Sequence, residues 1–113
     1  MTTGLIIYLL FAHFFADFSC QGTYLGTNKS NSNWILTTHI LIYATIMYLL
    51  LLPTELGIAF VAANASLHWI VDWCSSRIGK KFYNDGKIYA FWNTIAADQF
   101  VHLALLVYIG SLV

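Results

Sequence analysis

The sequence predicts an all-α protein, a four-helix transmembrane bundle that forms one integral-membrane domain over residues 1–113. The composition is 59% hydrophobic and only 9% charged, whereas an ordinary soluble domain has about 25% charged residues. The chain therefore has too few polar residues to cover a surface that faces water. In addition, four apolar segments approach the roughly 20 residues that a helix needs to cross a bilayer, and polar segments separate them.

The four predicted helices cover about residues 4–21, 34–52, 56–75 and 89–112. Ser32 or Asn33 is a natural N-cap for the second helix because each offers a side-chain oxygen to the first free N–H groups. Pro53 ends that helix and Thr54 can cap the third, so the segment LPTEL predicts a tight hairpin. The turn sequence NDG at 84–86 precedes the fourth helix.

Composition and the N-terminal segment argue against several classes of protein. The net charge is zero, so the composition gives no indication of nucleic-acid binding. The two cysteines are too few for a disulfide framework. The start MTTG has no basic residue, and the first apolar run carries His13 and Asp17, which a cleaved signal peptide would not need. We therefore expect this run to be a helix of the bundle.

The distribution of basic residues predicts the orientation. All five lie in the first and third connections, namely Lys29, Arg77, Lys80, Lys81 and Lys87. By the positive-inside rule these connections face the cytoplasm, and both termini and the Pro53 hairpin lie outside. The four tryptophans lie toward the same end, as an interfacial aromatic belt would.

Histidines and aspartates recur at a spacing of four within the apolar segments. The pairs are His13/Asp17, His68/Asp72 and Asp98/His102. Residues four apart share one helix face, and such a face must turn to the bundle interior because lipid offers no partner for a polar group. His39 lies at a matching depth in the second helix. All four histidines of the chain are therefore expected to gather in the cytoplasmic half of the bundle.

Three aspartates within a membrane cost roughly 8–10 kcal/mol before any compensation, and no lysine or arginine falls within the predicted helices. Protonated histidines could compensate, as a proton relay or a structural network. Divalent transition metals could also compensate, because imidazole and carboxylate are their standard ligands. Two divalent ions with one bridging hydroxide would neutralise three carboxylates. We therefore predict a metal site, with two ions, formed by His13, Asp17, His39, His68, Asp72, Asp98 and His102. Zinc is the leading metal and iron or manganese the alternatives, while haem and a purely structural role remain open.

The order H-x-x-x-D-F-x-x-Q, then K, then H, then H-x-x-x-D, then D-Q-x-x-H resembles a family of small bacterial and phage membrane proteins catalogued as a domain of unknown function, number 3307. The residues that carry the resemblance span nearly the whole chain: His13, Asp17, Phe18, Gln21, Lys29, His39, His68, Asp72, Asp98, Gln99 and His102. The resemblance implies a polytopic protein of the bacterial inner membrane. Family members often carry a lysine shortly after the third-helix aspartate, where this chain has Ser75 and Ser76. More distantly, the pattern is similar to membrane-bound metal-dependent hydrolases and the zinc phospholipase C/P1 nuclease group.

The sequence thus favours a membrane-embedded metal-dependent hydrolase that acts on a phosphoester or a lipid head group. Gln21 and Lys29, near the mouth of the site, are candidates for orienting the substrate. The loop from Arg77 to Lys87 is a topology signal that could also hold an anionic lipid head group or phosphate. The alternative is a proton-coupled or metal-ion transporter that uses the same cluster as its pathway. A structural partner subunit and a homo-oligomer are also compatible with the sequence.

Overall fold

The computed structural model describes residues 1–19 and 21–112. Within these residues the chain is helical and contains no β-strand, which confirms the all-α prediction. The elements in chain order are α1 (Thr3–Phe14), a π-helical segment (Phe15–Ser19), α2 (Gly22–Asn28), α3 (Asn33–Leu51), α4 (Ile58–Asn84) and α5 (Ile88–Ser111).

The first predicted helix, residues 4–21, is divided. Its first part is α1, and its second part is wound as the π-helical segment that contains Asp17. π-helical turns are rare and occur frequently at functional sites. Gly22 then adopts a φ of 76°, a conformation that only glycine tolerates well. The short helix α2 follows it, where the sequence predicted only a polar loop.

Helices α3 and α4 correspond to the second and third predicted helices. The main differences from the prediction lie at the two ends of α4. Ser32 is the N-cap of α3, and its side chain accepts from the backbone N–H of Trp34 at 3.2 Å. Thr54 does not cap α4, which begins after Gly57. Its hydroxyl instead closes the turn by donating to the carbonyl oxygen of Leu51 at 2.7 Å.

Helix α4 continues to Asn84, well beyond the predicted end at residue 75. It therefore includes three basic residues that the sequence placed in a loop, namely Arg77, Lys80 and Lys81. Charged residues end the apolar segment but not the helix, because lysine and arginine are good helix formers. The helix ends where the backbone reverses at Gly86, whose φ is 75°.

The interior of the bundle has an apolar half and a polar half. Helix α4 packs against α3 and α5, while α1 packs against α3 and α5. Near the 52–57 turn the core is apolar and consists of Leu9, Ala12, Ala16, Tyr43, Met47, Leu51, Leu56, Phe60, Val61 and Leu106. Toward the opposite end a second, smaller apolar cluster of Leu36, Ile40 and Ala65 lies beside the buried polar residues, which are His13, Asp17, His39, Asn64, His68, Asp72 and His102.

The outer surface, in contrast, is rich in large apolar side chains. Phe11, Leu41, Ile70, Phe100 and Tyr108 are all more than half exposed. Two helices, α3 and α5, are long and apolar enough to cross a membrane by length and composition. The first helical stretch, Thr3–Phe18, is apolar but shorter. In the apolar part of α4, the polar residues Asn64 and Asp72 are buried inside the bundle and do not lie on this surface.

Candidate metal centre

The structure brings the histidines and aspartates of the three sequence pairs, together with His39, into one cluster. The side chains come from α1, the π-helical segment, α3, α4 and α5. Six of the seven residues are at most 3% exposed (His13, Asp17, His39, His68, Asp72 and His102), and the side chain of Asp98 is 10% exposed. The cluster is therefore almost closed to solvent.

Four of these residues, which we call the four-residue set, each offer one possible ligand atom, and these atoms all lie within 4.8 Å of one another: Asp17, His39, His68 and Asp72. The Nε2 atom of His39 lies 3.1 Å from Oδ1 of Asp17 and 3.3 Å from Oδ2 of Asp72. The Nε2 atom of His68 lies 3.3 Å and 3.6 Å from the same two oxygens. The two Nε2 atoms are 3.4 Å apart.

Four of these five distances lie within the range expected for the edges of a tetrahedron around a metal ion, and the fifth, 3.1 Å, is slightly shorter. The edge of a regular tetrahedron is about 1.63 times the centre-to-corner distance, so metal–ligand bonds of about 2.0–2.2 Å give edges of about 3.3–3.6 Å. The sixth edge joins the two carboxylate oxygens. Hydrogen bonding explains the arrangement less well, because the two Nε2 atoms supply at most two hydrogens for four N···O contacts and one N···N contact.

A second group, the three-residue set, consists of Asp72, Asp98 and His102. The Nε2 atom of His102 lies 2.9 Å from Oδ1 of Asp72 and 3.1 Å from Oδ1 of Asp98. The two oxygens of the Asp72 carboxylate thus face different sets. Asp98 is also held from both sides, because its Oδ1 accepts from the hydroxyl of Ser75 and its Oδ2 accepts from the amide of Gln99 at 3.0 Å.

The two sets are joined by a contact between two histidines. The Nδ1 atoms of His68 and His102 are 2.9 Å apart, so one must donate and the other accept. If His68 uses Nε2 as a metal ligand, its proton is on Nδ1, and His102 accepts it there. His102 then carries its own proton on Nε2 and donates it toward Asp72 and Asp98. In that state His102 and Asp98 support the ligand His68 from outside the coordination sphere, as carboxylates and histidines commonly do in metal sites.

His13 lies beside the four-residue set rather than in it. The side-chain amide of Asn64 donates to the hydroxyl of Tyr43 at 2.6 Å, so that hydroxyl is free to donate to Nδ1 of His13, which is 3.1 Å away. His13 therefore carries its proton on Nε2, which faces Oδ2 of Asp17 at 3.6 Å. Among the described residues, Nε2 of His13 has no hydrogen-bond partner, so His13 lies against Asp17 without a hydrogen bond to it, and the other oxygen of Asp17 belongs to the four-residue set.

Lys29 connects the cluster to the outside. Its ammonium lies 3.2 Å from Oδ2 of Asp72 and donates to the side-chain oxygen of Gln21, also at 3.2 Å. The Lys29 side chain is 19% exposed, whereas that of Asp72 is 1% exposed. The two residues that the sequence suggested for orienting a substrate, Gln21 and Lys29, thus contact each other beside Asp72. No lysine or arginine lies within the predicted helices. Lys29 nevertheless contacts the buried Asp72 from outside them.

Sequence reasoning missed Tyr43 and Ser75 as members of the site. The ring of Tyr43 stacks on that of His68, with centroids 4.3 Å apart and an interplanar angle of 4°, and so fixes the plane of this imidazole. Tyr43 follows His39 by four residues and Ser75 follows Asp72 by three, so each shares a helix face with a member of the cluster. Their hydroxyl groups could have identified them as members of the site, because a hydroxyl on a buried helix face needs a hydrogen-bond partner.

Residues 5–113 match the family model described as a protein of unknown function, DUF3307. This match covers nearly the whole chain, so the protein belongs to that family, as its sequence motifs indicated. No curated protein and no solved structure matches the chain significantly.

Proposed function

We propose that this protein is a membrane-embedded, metal-dependent hydrolase that holds a divalent ion in the four-residue set. The observation that carries the proposal is the set of five distances of 3.1–3.6 Å among the two Nε2 atoms and the two carboxylate oxygens of this set. Two imidazoles and two carboxylates in tetrahedral arrangement suit zinc best, and iron or manganese are the alternatives.

Charge balance and proton positions favour one tightly bound ion. The three aspartates of the cluster carry three negative charges. Lys29 neutralises one of them through Asp72, and one divalent ion neutralises the other two. A second ion in the three-residue set would require His102 to give up its Nε2 proton and the contact between His68 and His102 to break. We therefore expect the second ion, which the sequence suggested, to bind more weakly than the first.

The placement in a membrane rests on the distribution of apolar and polar side chains, which is the reverse of that in a water-soluble protein. Large apolar side chains cover the outside, while histidines and aspartates fill half of the interior. The long axis of the protein measures 45 Å, which is close to the thickness of about 40–45 Å of a bilayer with its head groups. The basic residues all lie at the end of the bundle that carries the polar cluster, so we propose that this end faces the cytoplasm of a bacterial inner membrane.

The proposed reaction is hydrolysis of a phosphoester, such as one in a lipid head group. A divalent ion held by the four ligands of the set would have to accept a water as a fifth ligand in order to activate it at neutral pH, and it would also stabilise charge on phosphoryl oxygens. The chain itself contributes the ammonium of Lys29 and the amide of Gln21, which lie together at the partly open side of the cluster. These groups would bind and orient the anionic oxygens of the substrate, which lysine does as a mobile point charge.

Metal analysis of the purified protein, together with hydrolysis of a chromogenic phosphodiester, tests the proposal. We expect about one zinc per chain in protein prepared without chelator. Asp72→Asn should lose both metal and activity, because Asp72 contributes Oδ2 to the four-residue set. Asp85→Asn is the matched control, since Asp85 is exposed in the α4–α5 turn. A metal content far below one ion per chain would refute the metal site, and full metal without hydrolysis would refute the reaction.

The alternative, a proton or metal-ion transporter, has one observation in its favour. Polar contacts run from Lys29 through Asp72 and His39 to Asp17. The contact between His13 and Tyr43 lies beyond them, across a distance of 3.6 Å from Asp17 to Nε2 of His13. Beyond Tyr43, however, the path meets the apolar half of the core, whereas a transporter needs access from both faces. Flux of protons or zinc into proteoliposomes that contain the purified protein would favour this alternative over the hydrolase.

A further inference from the structure

One face of α4 changes from apolar to basic along its length, on the side away from the metal cluster. Residues at spacings of three and four lie on this face: Ala62, Ser66, Trp69, Trp73, Arg77, Lys80 and Asn84. Ala62, Ser66 and Trp69 line an apolar groove, and Arg77, Lys80 and Asn84 line a basic cleft. Both concave surfaces therefore lie along one continuous stripe of the bundle.

The basic cleft has a volume of about 420 Å³ and is lined by Ser30, Arg77, Lys80, Lys81, Asn84 and Asp85. Two of its cations are held by neutral amides, because Arg77 donates to Asn33 at 2.6 Å and Lys80 donates to Asn31. In the part of the chain that the structure describes, Arg77, Lys80 and Lys81 form no ion pair. Three cations face a single acid, Asp85, so the cleft carries a net positive charge that an anion can neutralise.

The groove between α3 and α4 has a volume of about 470 Å³ and is lined by Ile40, Leu41, Ala44, Ala62, Ala65, Ser66 and Trp69. Small side chains on α4 leave room there between two helices. At 1.5 Å per residue, Trp69 and Ala62 lie roughly 12 and 22 Å along α4 from Arg77. One leaflet with its head groups is about 20–22 Å thick. The groove thus lies at the depth of acyl chains when the cleft lies at the depth of head groups.

Tryptophans mark the boundary between the two surfaces. The indole N–H of Trp69 donates to Thr37 at 3.1 Å and that of Trp73 donates to Asn33 at 3.2 Å. The guanidinium of Arg77 lies over the ring of Trp73, 4.5 Å from its centroid. Trp and Tyr concentrate at head-group depth in membrane proteins, and Trp34 and Tyr89 are more than four-fifths exposed at this same end.

We infer that the α3–α4 face binds an anionic phospholipid, with its phosphate in the basic cleft and an acyl chain in the apolar groove. This inference rests on the membrane embedding in the proposed function but not on the metal or the reaction. A cation cluster alone would attract any phosphate. The groove that continues it along the same helix face selects a phosphate that carries a hydrocarbon chain.

The test is a titration of the purified full-length protein in mild detergent with phosphatidylglycerol, followed by native mass spectrometry. Phosphatidylcholine with the same chains and inorganic phosphate serve as comparison ligands. We expect the double variant Lys80→Gln/Lys81→Gln to bind phosphatidylglycerol roughly 30-fold more weakly, at about fivefold for each cation removed. Lys87→Gln is the matched control, because Lys87 is basic and exposed but does not line the cleft. The variant Lys80→Arg/Lys81→Arg keeps both charges and should retain binding. It serves to test whether these positions tolerate substitution.

The groove is tested with a second matched pair. Ala62→Phe should fill it and weaken phosphatidylglycerol binding severalfold, whereas Ala63→Phe, also at an exposed position, should not. If Lys87→Gln weakens binding as much, for each charge removed, as Lys80→Gln/Lys81→Gln does, only the overall surface charge attracts lipid, and the inference is overturned. Equal effects of the two alanine variants, or competition by inorganic phosphate at the concentration where the lipid binds, would also overturn it. Zinc content measured on the same preparations separates a failure of this inference from a failure of the metal site.

Discussion

The ammonium of Lys29 lies 3.2 Å from Oδ2 of Asp72, a carboxylate 43 residues away in the sequence and 1% exposed. The same oxygen belongs to the four-residue set. A basic residue at the end of α2 thus meets an aspartate in the interior of α4, and it does so at the partly open side of the cluster. This contact is where a substrate and the proposed ion would come together.

The first prediction concerns Lys29. Lys29→Met keeps most of the apolar stem and removes the charge, so we expect it to lower phosphodiester hydrolysis by at least tenfold while zinc remains bound, since Lys29 is not a ligand. Zinc content and steady-state kinetics on the same preparation measure both effects. Lys81→Met, an exposed lysine on the same end of the bundle, is the control. Loss of zinc together with activity would instead make Lys29 a structural support of the ligands.

The second prediction separates a ligand from a supporting residue. His39→Gln should reduce zinc affinity by more than 100-fold, because Nε2 of His39 is one of the four proposed ligand atoms. His13→Gln should reduce it by about 10–100-fold, the usual cost of removing a group that only orients a ligand. Competition with a zinc indicator dye gives both affinities. The assignment of His13 is contradicted if its variant loses zinc as completely as the His39 variant does.

The third prediction concerns metal removal. Since the ion binds the folded bundle and its ligands come from several helices, chelation should lower the thermal stability in detergent. At a free zinc concentration of about 100 times Kd, the stabilisation is about 2.7 kcal/mol. Thermal unfolding with and without chelator measures it, and re-addition of zinc should restore the melting temperature. Asp72→Asn should show no response to chelator, whereas an unchanged melting temperature of the unmodified protein would argue against a bound ion.

The fourth prediction concerns the chain from Asn64 to His13. Tyr43→Phe keeps the ring that stacks on His68 but leaves the Asn64 amide and His13 Nδ1 without the hydroxyl between them. The loss of a buried hydrogen-bond partner costs about 1–3 kcal/mol, and we expect unfolding to be easier by that amount. Tyr48→Phe, on the same helix but 41% exposed, should unfold like the parent protein. Identical stability of the two variants would show that the hydroxyl has no structural role.

The fifth prediction concerns orientation. With Cys20 and Cys74 replaced by serine, single cysteines at Ser30 and Asn84 should resist a membrane-impermeant thiol reagent in intact cells, because the proposed orientation places the basic end in the cytoplasm. A cysteine at Glu55, in the exposed turn at the opposite end, should be labelled. Labelling in the reverse pattern would place the polar cluster near the outer face of the membrane.

The sequence by itself determined the helical class, the family and the composition of the polar cluster. Those features depend on local order along the chain. Helical periodicity places His68 and Asp72 on one face of their helix, however that helix packs. Because the chain is otherwise apolar, polar helix faces of this kind must meet inside the bundle. The end of α4 at Asn84 and the π-helical turn at Asp17 escaped prediction. A change in hydropathy does not mark the end of a helix, and a π-helical turn depends on what the widened helix packs against.

Only the tertiary structure divided the cluster into parts with different roles. Whether His13 or His39 lies at a corner of the tetrahedron depends on how α1 and α3 are rotated against α4, and rotation is set by packing rather than by spacing. The two oxygens of Asp72 face different partners for the same reason. The position of Lys29 also depends on tertiary structure. Its contact with Asp72 requires the chain to turn at Gly22 and bring the end of α2 to the interior part of α4.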